Sequence, residues 1–70
     1  MSVHFELLDV VTLTCNIADG RFEKGTTGTI VEVLAPGVFM VEFDGDTELV
    51  LPAVKQGQLK LEWRNGMKSP

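Results

Sequence analysis

Residues 24–33 read Lys-Gly-Thr-Thr-Gly-Thr-Ile-Val-Glu-Val. Two glycines three residues apart open a run of β-branched side chains. A glycine pair of this kind either grips a phosphate or turns the chain. Phosphate-gripping loops sit between a strand and a helix, whose first amide groups supply the anion site. Gly28 instead leads into Thr-Ile-Val-Glu-Val-Leu, a strand pattern. A loop that clamps an RNA backbone needs flanking helices too. The context therefore favours a loop-to-strand turn. Gly25 is expected at positive φ, and Gly28 where the strand bends or another backbone comes close.

Strand patterns continue on both sides of this stretch. Leu7 to Thr14 is rich in Leu, Val and Thr and reads as strand one. Asn16 to Lys24 is a long loop whose Ile17 and Phe22 are expected to fold back onto the core. Strand two is Gly28 to Leu34, with a bulge bringing Ile30 and Val33 inward together. Pro36-Gly37 turns the chain. Strand three, Val38 to Phe43, puts Phe39, Val41 and Phe43 on one face. Asp44-Gly45-Asp46 is a hairpin signal, with Gly45 as its turn residue. Strand four is expected at Thr47 to Leu51, with Leu49 and Leu51 inward and Val50 outward. Pro52 would end it, and a short 3₁₀ turn falls within Ala53 to Gly57. Strand five, Gln58 to Trp63, places Leu59, Leu61 and Trp63 on one face. The sum is an all-β fold, a small five-stranded SH3-like barrel with a 3₁₀ turn before its last strand. It forms a single domain over residues 1–66, and 67–70 read as a disordered polar tail.

Composition narrows the functional classes. Seventy residues make one domain with a small core. Its only cysteine, Cys15, excludes an internal disulfide. The first residues, Met-Ser-Val-His-Phe-Glu, carry no basic region of the signal-peptide kind. No apolar run approaches the length of a membrane helix. The expected location is cytoplasmic, without a membrane partner. Six basic residues against ten acidic ones give a net charge of −4. Nucleic-acid binding draws on neutralised phosphates, so this balance speaks against it.

Candidate chemistry is sparse. His4 and Cys15 are the only residues of their types. His4 reads as a surface residue and Cys15 as half-buried and structural. Two such side chains cannot close a structural zinc site, so no metal and no cofactor is expected. Asp44, Asp46 and Glu48 alternate as at the start of a calcium loop. Leu49 and Lys55, however, stand where such a loop wants Gly and Glu. No catalytic residue is assigned, and the chain is expected not to be an enzyme.

The segments Phe-Glu-Leu-Leu-Asp-Val-Val-Thr-Leu, Lys-Gly-Thr-Thr-Gly-Thr-Ile-Val-Glu-Val-Leu, Val-Phe-Met-Val-Glu-Phe-Asp and Gln-Leu-Lys resemble a known family in their spacing. It is a family of short bacterial SH3-like domains of unknown function, and the likeness covers about residues 5–61. More distantly the chain is similar to KOW-motif domains and to the SH3-like barrel of nitrile hydratase β-subunits. The resemblance implies the barrel and carries over no catalytic residue. The KOW likeness implies an alternative role as a nucleic-acid or ribosome-associated module, against which the acidic balance stands. The nitrile hydratase likeness implies a second alternative, an accessory enzyme subunit.

The remaining signal is apolar excess. With Phe39, Val41 and Phe43 inward, Val38 and Met40 point outward. Together with Val50 and Trp63 they form a candidate protein interface. A homo-oligomer is the first expectation, with an unidentified protein as a further partner.

Overall fold

In the computed structural model, residues 4–48 and 50–63 are described. They form β1 (Val10–Leu13), a 3₁₀ turn (Ala18–Gly20), β2 (Thr27–Ala35), β3 (Val38–Phe43), β4 (Ala53–Lys55), a second 3₁₀ turn (Gln56–Gln58) and β5 (Leu59–Trp63). The fold is all-β, one antiparallel sheet in the order β4-β3-β2-β1-β5. Asn65, Gly66 and the tail 67–70 lie outside the described residues, as does the expected inward position of Leu49.

The sheet cannot be flat. Five strands about 4.8 Å apart would put its edges roughly 19 Å from each other. The edges are β4 and β5, joined only by Gln56–Gln58. Lys55 to Leu59 is a reach of at most about 14 Å. The sheet must curl until its two edges approach. The second 3₁₀ turn holds that closure: the Gln56 N–H donates to the Gly37 carbonyl at 2.8 Å, and the Thr14 N–H to the Gln58 carbonyl at 2.9 Å.

Curling gives the sheet one interior. Val11 and Leu13 of β1, Ile30 of β2, Phe39, Val41 and Phe43 of β3, Val54 of β4 and Leu59 of β5 fill it. Period-two alternation selects these residues and leaves Val10, Thr12, Met40 and Glu42 on the outer side. Ile17 and Phe22 fold onto the core from the long loop and are bridged to each other. Phe22 packs on Phe43 with ring centroids 4.8 Å apart. Phe5 closes another part of the core, edge-on to Phe39 at 5.6 Å. Burying such side chains is the main stabilising term, at about 25 cal/mol per Å² of apolar area.

Several sequence expectations need correction. Strand one begins at Val10, not Leu7, because Leu7 and Leu8 form a turn in which Leu8 has φ 71°. Strand four is Ala53–Lys55, after Pro52 and not before it. The 3₁₀ turn accordingly falls later, at Gln56–Gln58. Strand two does carry bulges, with Val31 and Leu34 as the extra residues. They set Ile30 opposite Val41 and Val33 opposite Phe39, yet Val33 stays exposed near the end of the hairpin. Strand five has its own irregularity. Leu61 lies opposite Val11 but Trp63 opposite Val10, so Glu62 is inserted and Trp63 leaves the face of Leu59 and Leu61.

Candidate functional site

The two glycines of the opening stretch, and Gly45, serve the backbone. Gly25 has φ 94° and Gly45 φ 82°, a region that side chains other than glycine rarely adopt. Gly28 is buried in β2, and a Cβ on it would lie 2.8 Å from the Glu42 carbonyl oxygen, the Phe43 ring and the Val41 side chain. Its missing side chain lets β3 and its inward residues close over the strand. No helix succeeds this glycine pair, so no helix N-terminus faces it.

The long first loop and the segment after β3 wall a groove of about 360 Å³, lined by Arg21, Phe22, Thr26, Asp44, Asp46, Glu48 and neighbours. Arg21 is its centre. Its Nη2 donates to a Glu48 carboxylate oxygen and, at 3.4 Å, to Asp46 Oδ1. The guanidinium also lies 5.5 Å from the centroid of the Phe22 ring. Arg21 is held above the usual arginine range, chiefly by the hydrogen bond to Glu48 and then by the two carboxylate charges, with desolvation opposing. Asp46 also accepts from the backbone. It accepts the N–H of Glu48 at 3.2 Å and of Val50 at 2.9 Å. Its oxygens are thus taken by backbone and guanidinium. Among the described residues, no group of three His, Cys, Asp or Glu is placed to hold a metal ion.

His4 and Cys15 are both exposed, and Cys15 is not the half-buried residue expected. They flank opposite ends of β1 in sequence. Lys24, Lys55 and Lys60 are exposed, and Arg21 is engaged with carboxylates.

The four expected interface residues occupy three places. Val38 and Met40 share the outer face of β3 and are half-buried. Their neighbours on β4 are Lys55 and Ala53, so Val50 does not take the cross-strand position expected for it. Val50 lies exposed in the segment tied to Asp46. Trp63 ends β5 at the other edge of the sheet, 44% exposed. The sequence pattern does not single out other apolar side chains that reach the surface: Leu7, Leu8, Val33, Leu34 and Leu51. With Val50 these make three consecutive pairs. Sequence adjacency is the available signal, since two neighbouring residues of a regular strand cannot both face one interior.

Fold and surface together define a small all-β domain whose exposed features are apolar pairs and an arginine clasped by carboxylates. Residues 7–60 match the model of a domain of unknown function (DUF4926), and the chain belongs to that family. No curated protein and no solved structure matches it. Among the described residues, no helix is long and apolar enough to cross a membrane.

Proposed function

We propose that this chain is a non-catalytic protein-interaction module of SH3-like architecture that associates first with itself. The sheet order, the curl and the three-residue 3₁₀ turn ahead of β5 support the SH3-like reading. The observation that carries the function is the apolar surface. Among the described residues, seven large apolar side chains are well exposed, six of them as consecutive pairs, on a domain of 70 residues. Single exposed leucines are ordinary, but contiguous apolar patches on a small soluble domain mark contact sites. A chain this short gains in proportion when such area is covered, because its own core is small. A two-fold pair is the commonest arrangement. The outer face of β3, with Val38 and Met40, is the first surface to test.

The measurement is light scattering on the purified chain at micromolar concentration. A mass above 7.7 kDa is expected for the wild type. Met40→Asp sets a charge on the outer face of β3 and is expected to weaken the assembly if that face is buried in it. A wild type that stays at 7.7 kDa overturns self-association.

A further inference from the structure

Among the described residues the sheet ends on β4 at one side and on β5 at the other. β4 is three residues long and follows Pro52, which has no N–H to offer. β5 carries five residues, Leu59-Lys60-Leu61-Glu62-Trp63, and their backbone groups can be sorted by direction. The Thr14 N–H donates to the Gln58 carbonyl, and these two residues stand in the register of the β1–β5 ladder. Bonded positions recur at every second residue of an antiparallel ladder, so Thr12 and Lys60 form the next one. Leu59 and Leu61 fall between, with N–H and C=O groups pointing away from β1. The Leu59 N–H is taken by the Gln56 carbonyl at the end of the second 3₁₀ turn. Leu61 is left with both backbone groups at the free edge.

The side chains around Leu61 are self-complementary. Lys60 and Glu62 are exposed, and β1 beside them carries no charge. Both lie on the outer face: Lys60 is paired with the outward Thr12, and Glu62 Oε2 accepts the Thr12 hydroxyl at 2.8 Å. A two-fold axis at Leu61 sets β5 antiparallel to its copy. Lys60 then meets Glu62 of the copy, and Glu62 meets Lys60 of the copy. Moving the axis by one residue centres the pair on Lys60 or on Glu62 and sets like charges against each other, which opposes docking. Lys60 also uses its N–H on β1. Moving it by two centres the pair on Leu59, whose N–H is engaged, or on Trp63, beyond the inserted Glu62. Leu61 is the centre that satisfies backbone and charge together.

We propose that two copies of the chain join through β5, edge to edge and antiparallel, with Leu61 bonded to its equivalent and a Lys60–Glu62 pair on either side. This rests on the self-association reading and names a surface other than the outer face of β3. In strand addition the main-chain bonds carry the attachment and the side chains choose the partner. Exposed ion pairs add little strength, so their part here is to set the register. The Glu62 insertion bends β5 after Leu61 and keeps the ladder short. The arrangement is closed, since each copy uses its β5 edge once and offers it to no third chain. The other edge does not match itself in this way: an axis at Val54 sets Lys55 against Ala53.

The test uses the full chain with charge reversals at these two exposed positions, each variant checked for folding by circular dichroism. Lys60→Glu sets carboxylates against carboxylates across the axis, and Glu62→Lys sets ammonium groups against ammonium groups. In light scattering at micromolar concentration the wild type is expected at twice 7.7 kDa and each single variant alone at 7.7 kDa. An equimolar mixture of the two single variants should return to twice 7.7 kDa, because every carboxylate then faces a lysine. The double variant Lys60→Glu/Glu62→Lys should pair with itself for the same reason. Single variants that stay dimeric, or a mixture that stays at 7.7 kDa, overturn this edge. If the reversals leave the wild-type dimer intact and Met40→Asp splits it, self-association stands and the contact belongs to β3. A monomeric wild type overturns both readings.

Discussion

Gly28 lies directly across from Phe43 in the β2–β3 ladder, and a methyl group on its Cα would sit 2.8 Å from the Phe43 ring. The same methyl would meet the Glu42 carbonyl oxygen at 2.8 Å. Flexible tips give way easily, but this oxygen belongs to the backbone. Gly28→Ala is therefore expected to lower stability by about 1–3 kcal/mol, and Gly28→Val by more. Urea unfolding followed by circular dichroism measures it. Full stability in both variants would mean that the strand can shift freely at this point, and that the glycine is there for something it touches in solution.

Asp9 tests the neighbouring turn. Its carboxylate is buried and accepts the Glu6 N–H. Asp9→Ala leaves that donor without its acceptor and is expected to cost about 1–3 kcal/mol. Hydrogen exchange localises the loss. The Glu6 amide should exchange faster than the ladder amides of Val41 and Phe43. Uniform acceleration across the sheet would mean that Asp9 supports the whole core instead of one turn.

The same chemistry explains which strands are legible in the sequence. Val38–Phe43 is legible at both ends, because its alternation is clean and turn residues flank it. Strands two and five are legible to within a residue at each end. The two failures have different causes. At Leu7-Leu8 the chain turns back on itself: Asp9 accepts the Glu6 N–H, while the Leu8 N–H still donates to the Ile30 carbonyl of β2. At Thr47 to Leu51 the composition is strand-like, but an aspartate side chain takes amides that a ladder would need. Asp46 takes those of Glu48 and Val50. Side-chain bonds of this local kind compete with sheet pairing. The true fourth strand, Ala53–Lys55, has one buried residue, Val54, and a single residue shows no period. The surface is less legible for the same reasons. Displacing strand four removes Val50 from its place beside Met40, and one inserted residue moves Trp63 outward.

Arg21 offers a test in salt and pH. It bridges the first loop to Asp46 and Glu48 from an exposed position. Arg21→Ala is expected to change the melting temperature little and to speed amide exchange at Glu48 and Val50. Added salt should produce part of the same effect in the wild type, since exposed pairs are screened. Its pKa is raised in the folded state, so its contribution is complete below the usual arginine pKa. That contribution is lost only as pH rises through the raised value. Raising the pH modestly above neutrality should therefore leave the clasp in place. A clasp that opens under those conditions would mean that another group controls it.

Asp46 is the more buried carboxylate in that clasp, and its role can be separated from that of Arg21. Its side chain is 7% exposed and holds three donors: Arg21 Nη2 and the backbone N–H groups of Glu48 and Val50. Removing Arg21 takes away one of these and loosens the two backbone bonds without removing their acceptor. Asp46→Ala takes away all three and leaves two backbone donors to find other acceptors. The expected cost is about 1–3 kcal/mol, within the range for a lost helix cap or a buried hydrogen bond. Asp46→Asn keeps an acceptor oxygen but loses the charge that faces Arg21, and should fall between the two. The order of stability expected in urea is wild type, then Arg21→Ala, then Asp46→Asn, then Asp46→Ala. Segment 47–51 shows a strand-like composition, so release of its amides carries a second consequence. Asp46→Ala should populate sheet pairing there, seen as slowed exchange at the Val50 amide despite lower stability. Faster exchange at Val50 in that variant would refute the claim that Asp46 is what keeps this segment out of the sheet.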